Sequence, residues 1–510
     1  MRPRSLVVCL AAATVLAAPG GGASARGGTG VMTFSGGGFG HGVGLSQWGA
    51  YGLARRGWGQ ARILRHYYVG TQVRRAQHPP ARIRVGIAQG RRVIHLQAER
   101  GRVQVRLRGP RGPIIGRIPR GATWSVTRSN GRYRIVNGTG RLVGGKTWQT
   151  RPVLRYAPHH AVVRIPETGY AYSRGYIVFG VGCASCAMHL VAVVPAEQYL
   201  YGIGEVPANW PMAAMEAQAV AARTYAFEKI ARLGQHQAGC DCGVVSTTQD
   251  QVYAGWTKEV EPDGGRWVAA VRRTTRQVVL YHGSLIEAFF SSSSGGHTES
   301  NAGAWGGTPL PYLRPVCDPG DFARANPSRA WSVRLSDSTV GARISRATGR
   351  RLGAAVRFVG TRRDGGGRIR QTTFVGRRGR ATISGATLES ALGLRSTLVW
   401  IGGNRNVLPP FRTRYDRLNC SPGFATTVQM RVRGGRVQRF PGGAMYFNGR
   451  RGRVFWLHGP VYVKYRRHGE WRGWLGLPRS DVIHRGRRSF ARFERGTVRC
   501  GGGDCRLSRR

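Results

Sequence analysis

Acidic residues are scarce in this chain. Its 510 residues include 23 aspartates and glutamates against 79 lysines and arginines, a formal net charge of +56. Lysine is nearly absent too, occurring only at Lys146, Lys229, Lys258 and Lys464. A GC-rich genome also favours arginine, so the excess need not be functional throughout. A positive field this large favours anionic partners: nucleic acid, anionic lipid or the anionic polymers of a bacterial wall. Long apolar runs are missing beyond the N-terminus, so no later segment is expected to span a bilayer. No Gly-x-Ser-x-Gly elbow occurs, which counts against a serine hydrolase. No lysine follows the glycine run at 36–44, which excludes a phosphate loop of the Walker type.

With 41% hydrophobic residues the chain can build a packed core, and its length suits about two to three domains. Arg2 and Arg4, an apolar stretch over residues 6–18 and the small-residue site Ala23-Ser24-Ala25 outline a secretory signal peptide over 1–25. Export directs the charge toward wall polymers and away from nucleic acid. Cys9 lies too early for a lipoprotein signal. Eight further cysteines in an exported chain read first as disulfides. Cys500–Cys505 and Cys183–Cys186 suit local loops, and Cys317–Cys420 suits a tie across one domain, although pairing cannot be deduced from sequence.

Two short helices are expected near the start, one capped by Ser46 and ending before Gly57, one over roughly 60–68. Residues 80–175 alternate apolar with polar and read as strands. Pro211, the alanine-rich run 212–232 and Gly234 mark the clearest helix. A short helix is expected around 387–392. Residues 404–430 read as a linker. The aromatic tail, 431–510, holds a weak repeat in which the segment from Phe440 resembles the one from Phe493.

Four regions carry chemistry. Glu205 lies on a Gly/Pro-rich turn beside Tyr201, Val206 and Trp210; partial desolvation there raises a carboxyl toward general-acid use. An ion pair with one of the many arginines is the plainer alternative. His41 ends the glycine run, with Ser46 and Gln47 beside it. Glycines allow close approach of backbone to a ligand, while a tight structural turn accounts for the same residues. Ser293 and Ser294, before a glycine pair, suit sugar hydroxyls or a plain polar loop. His236, Cys240 and Cys242 have zinc-like spacing; two separate disulfides are the reading export favours.

Taken together, these segments resemble the SpoIID/LytB family. Tyr199-Leu200, Glu205-Val206-Pro207, Trp210-Pro211 and the helix through Arg223 and Tyr225 resemble its core motif. Gln251-Val252-Tyr253-Ala254-Gly255, Ser293-Ser294-Gly295-Gly296, the 392–397 stretch, the 40–50 stretch and 66–71 resemble the remainder, so the likeness runs from residue 30 to about 401. It implies an α+β fold, a β-rich SpoIID-like domain over 26–403 with a central alanine-rich helix. It implies lytic transglycosylase cleavage of peptidoglycan between MurNAc and GlcNAc, with Glu205 as acid and then base. Glu197 matches an acid common in the family but not the catalytic one. The alternative is a non-catalytic wall-binding enhancer of an amidase. His41, Ser46, Gln47, Trp210, Arg223, Tyr225, Gln251, Tyr253, Ser293 and Ser294 are then substrate-binding candidates. No cofactor is expected: zinc-bearing members carry a cysteine where this chain has Asp250, although zinc remains an option at His236, Cys240 and Cys242. In the family Gly-His-Gly follows the Arg-Ser-Thr strand; here it comes first. The chain thus resembles a circular permutation, and residues 32–39 are expected to pack beside 395–402. The tail resembles LGFP-type cell-wall repeats through 459–462, Leu475-Gly476-Leu477-Pro478 and 490–493. The expected protein is secreted and wall-associated, with glycan strands, anionic wall polymers and an amidase as partners.

Overall fold

A computed structural model describes residues 30–156, 161–181, 187–403, 405, 407–418, 420–502 and 504–509. The expected signal peptide, Cys9 and the Cys183–Cys186 pair lie outside these residues. The fold is α+β, as expected. Its main core lies between two largely antiparallel sheets and the long helix Met212–Leu233. A seven-stranded sheet places Met188–Pro195 between Arg82–Arg91 and Tyr176–Val181. Seven successive residues of Met188–Pro195 are buried, which explains the apolar run from Leu190 to Pro195. A five-stranded sheet built from Val93–Arg100 and its neighbours packs its alternate residues, including Ile94, Leu96 and Val126, into the same core.

The helices fall where their caps put them. Ser46 caps Gln47–Ala54, its side chain accepting from Gly49 N. Gln60–Tyr67 and Gly385–Leu392 match the other two short helices. In the long helix Pro211 is the cap rather than the first helical residue, and Gly234 ends it at φ +78°. Most of this helix is buried, Ala217 through Thr224 without a break; alanine is therefore a packing choice as well as a helix former.

The strand Val31–Gly36 pairs on one side with Trp331–Ser336 and on the other with Val399–Ile401, where Phe34 faces Ile401 and Gly36 faces Val399. Gly40 N donates to Arg395 O at 2.9 Å, and Ser396 Oγ to Gly37 O at 2.7 Å. Residues 32–39 and 395–402 are thus adjacent, as expected.

The segment 404–430 contains a short helix, Arg412–Arg417. Phe411 and Tyr415 are buried against Phe440 and Trp456, and Cys420 is joined to Cys317. The tail forms two four-stranded sheets bridged by the helix Gly459–Arg467. The two similar segments occupy like positions: Phe440 pairs with Gly443 across one tight hairpin, and Phe493 N donates to Gly496 O at 2.8 Å across the other. Leu475 and Leu477 are buried, and Leu477 N donates to Glu494 at 3.1 Å. Among the described residues no helix is long and apolar enough to cross a membrane.

Candidate functional site

The turn between the helix Ala196–Tyr201 and the long helix is held by backbone pairing. Gly204 N donates to Val252 O and Ala254 N to Gly202 O, each at 2.8 Å. This brings Glu205 beside the 251–255 motif. Its Oε1 accepts from Val252 N at 2.7 Å, and its Oε2 from Gln47 Nε2 at 3.1 Å. No arginine pairs with it among the described residues. Burial raises the pKa of this half-buried carboxyl above its ordinary value, and the bonds from Val252 and Gln47 oppose that rise.

Aromatic rings gather on the segments that carry Glu205 and Gln47 and on the helix beside Asp250. Trp210 meets Trp48 and Tyr51 with centroids at 4.7 and 5.1 Å. From Tyr225 a second row runs through Phe289 at 6.0 Å to Trp305, 4.9 Å further on. His41 closes this row, 5.0 Å from Trp305. Trp305 is 54% exposed, so this wall faces outward. His41 Nδ1 accepts from Val43 N at 3.0 Å, which leaves its proton on Nε2. Burial, then the Arg368 guanidinium, lowers its pKa to about 4; the ring is neutral at physiological pH.

Asp250, next to Gln251, is engaged on both oxygens. Tyr225 OH donates to it at 2.6 Å, Lys229 Nζ at 2.6 and 2.7 Å, and Val245 N at 2.8 Å. One of only four lysines is spent there, so Glu205 has the freer carboxylate of the two.

Several other candidates turn inward. Arg223, fully buried, is clamped by Glu197 at 2.8 and 2.9 Å. Gln251 accepts from Tyr199 OH at 2.6 Å and donates to Ala222 O at 3.0 Å. Tyr253 is buried and stacks on Tyr199 at 5.3 Å. Gln251 and Tyr253 belong to the segment that pairs with the Glu205 turn, while Arg223 ties the long helix to Glu197. Ser46 and Ser293 donate to Asp321 at 3.0 and 2.9 Å, and Ser294 donates to Asp318 at 2.7 Å. All three serines are buried. They join the 40–50 segment, the Ser-Gly-Gly loop and residues 318–321 into one polar hub. Tyr67 OH also donates to Asp318, at 2.8 Å. The approach that the glycine run permits is likewise internal: a Cβ on Gly44 would collide with Phe289 O and one on Gly42 with Arg368.

The zinc candidates do not fit a metal. Cys240 and Cys242 are bonded to each other, not to two separate partners, which consumes both sulfurs. His236 Nδ1 lies 2.6 Å from Asp241 Oδ1. Sequence reasoning missed Asp318 and Asp321 because no motif surrounds them; the scarcity of acid was the available signal. Trp48 lies inside the 40–50 stretch without having been singled out, and Phe289 lies just ahead of the Ser-Gly-Gly loop.

A family model described as Stage II sporulation protein, SpoIID, matches residues 185–281, which span Glu205, the long helix and the 251–255 motif. The amidase enhancer of Bacillus subtilis (strain 168) is 37% identical over 132 residues, 26% of this chain and 16% of that protein. Stage II sporulation protein D of the same organism is 30% identical over 184 residues, 32% of this chain and 53% of that protein. The Bacillus amyloliquefaciens protein of that name is 29% identical over 189 residues, covering 55% of its length. The chain therefore spans about half or less of these relatives.

Proposed function

We propose that this protein is an exported peptidoglycan lytic transglycosylase that cuts glycan strands between MurNAc and GlcNAc, with Glu205 as its acid and base. The observation that carries this reading is the half-buried Glu205 carboxyl, raised by desolvation and held by Val252 N and Gln47. A carboxyl that retains its proton at higher pH suits general-acid chemistry. Aromatic rings with a few placed polar groups suit the apolar faces and hydroxyls of sugars.

Glu205 donates its proton to the glycosidic oxygen as the C1–O bond breaks and GlcNAc leaves. The resulting carboxylate stabilises the positive charge at C1 and removes the proton of the same sugar's 6-hydroxyl. O6 then bonds to C1, which yields the 1,6-anhydro end and restores the acid. Water is not consumed, so the second carboxylate of a glycoside hydrolase is not required. Asp250, tied to Lys229 and Tyr225, contributes by holding the Val252 amide in line. We place the protein outside the cell at the wall, where its net charge of +56 attracts anionic wall polymers.

The name of one relative, an amidase enhancer, favours a second reading: a wall-binding protein that modifies an amidase without cleaving glycan. Purified glycan strands incubated with the mature protein and with Glu205→Gln separate the two. Anhydro ends detected by mass spectrometry with the wild type, and a loss of roughly 100-fold or more with the variant, are the expected result. Strand binding by both with cleavage by neither would leave the amidase role.

A further inference from the structure

A cavity of about 830 Å³ lies against the C-terminal half of the long helix. On that helix Tyr225 and Lys229 face Asp250. Phe227, Ile230 and Ala231 line the cavity, roughly 140–240° around the axis from Tyr225. The cavity is therefore on the other side of the helix from Asp250, and none of Glu205, Gln47 and Val252 lines it.

Its second wall is a three-stranded sheet in the order Ser284–Leu285, Gln277–Tyr281, Gln72–Arg75. The register sets Gln72 opposite Leu280, Arg74 opposite Val278 and Leu280 opposite Leu285, so these side chains share one face. Val278, Leu280, Leu285, Phe227 and Ile230 make the floor apolar. Arg74, Arg75, His78 and His282 line the lip, and all four are exposed. Neither arginine has an acidic partner among the described residues. The outer edge of the Gln72–Arg75 strand has no strand beside it among the described residues.

We propose that this groove docks an extended segment of a partner protein, built of alternating aliphatic and acidic residues, as a fourth strand along Gln72–Arg75. Backbone pairing to the open edge supplies affinity, and every second side chain enters the cavity, where shape and polarity set specificity. Aliphatic side chains fill the floor. Acidic ones on the opposite face meet Arg75, and the Arg74 guanidinium at the mouth adds to the attraction. The volume of about 830 Å³ lies within the range of roughly 300–1,000 Å³ typical of ligand cavities. The inference is independent of catalysis by Glu205.

The test uses the full mature protein and a labelled, end-blocked hexapeptide of alternating leucine and glutamate, with binding read by fluorescence anisotropy. We expect saturable binding that weakens at least tenfold in Arg74→Glu/Arg75→Glu. Arg450→Glu/Arg451→Glu, which changes the net charge equally on the C-terminal module, is expected to stay within twofold of wild type. Methylating alternate backbone nitrogens of the peptide, in each of the two registers, is expected to abolish binding in one register. This arm needs no protein variant. Equal loss in both double variants would reduce the effect to net charge and overturn the proposal. So would equal binding of a leucine–lysine peptide, retention of binding with both methylated peptides, or binding of decanoate without binding of the peptide.

Discussion

Glu205 and Gln47 are 158 positions apart in sequence and 3.1 Å apart in space. The Gln47 amide donates to the ionised form of Glu205 and so opposes the rise caused by burial. Removing that donor in Gln47→Leu is expected to raise the Glu205 pKa further. Because the proposed reaction begins with protonated Glu205, the alkaline limb of the cleavage profile should move to higher pH, measured as initial rate of anhydro-end formation from pH 4 to 9. A limb that stays in place would separate Gln47 from the titrating group. Glu205 itself was legible because acid is rare and the turn is flanked by aromatic residues. The inward roles of Arg223 and Gln251 were not, since a buried ion pair and a sugar-binding arginine use the same residue type.

Among the elements, several helices were legible, because their ends are written in single residues: Ser46 and Pro211 at starts, Gly234 at an end. Their joining was not. Ser46 caps Gln47–Ala54 and also donates to Asp321, 275 positions away. Ser46→Ala removes a cap and leaves Asp321 with one donor fewer, at a cost of roughly 1–3 kcal/mol, checked by urea unfolding at pH 7. A second acidic site acts at the junction of the Asn301–Trp305 helix and the loop at 364–366. Glu299 accepts from Ser300 N and Gly366 N at 2.7 and 2.8 Å. Burial first, and the Asp364 carboxyl second, raise its pKa to about 8. The unfolded chain releases this proton near pH ~4.3, so between the two values the fold binds more protons than the unfolded state. Stability should therefore fall as pH rises from 5 to 8, by at most about 1.4 kcal/mol per pH unit for one proton. Asp321, raised to about 7, acts in the same direction. Glu299→Gln should flatten the dependence seen in urea midpoints; an unchanged slope would assign it elsewhere.

Across the whole molecule, the Cys317–Cys420 bond closes a loop with a sequence separation of 103. It fastens the segment leading to the C-terminal sheets onto the loop that holds Asp318 and Asp321. Loop-closure entropy puts its contribution near ~4–5 kcal/mol. Cys317→Ser/Cys420→Ser should lose about that much in urea unfolding, and glycan cleavage should fall with it if the hub loosens. The sequence by itself determined the mixed fold class, the four helices marked by caps or an alanine-rich run, the strand-rich stretch and the turn that carries Glu205; it did not determine helices such as Asp337–Thr348 and Arg412–Arg417. What it determined follows from periodicity and from caps, which act over a few residues. Only the tertiary structure decided that Gln47 and Val252 hold that carboxyl, that the motif serines serve Asp318 and Asp321, and that Cys240 pairs with Cys242. Each is a choice of partner by a polar group. Many such groups compete in the sequence, and burial in one particular packing selects among them.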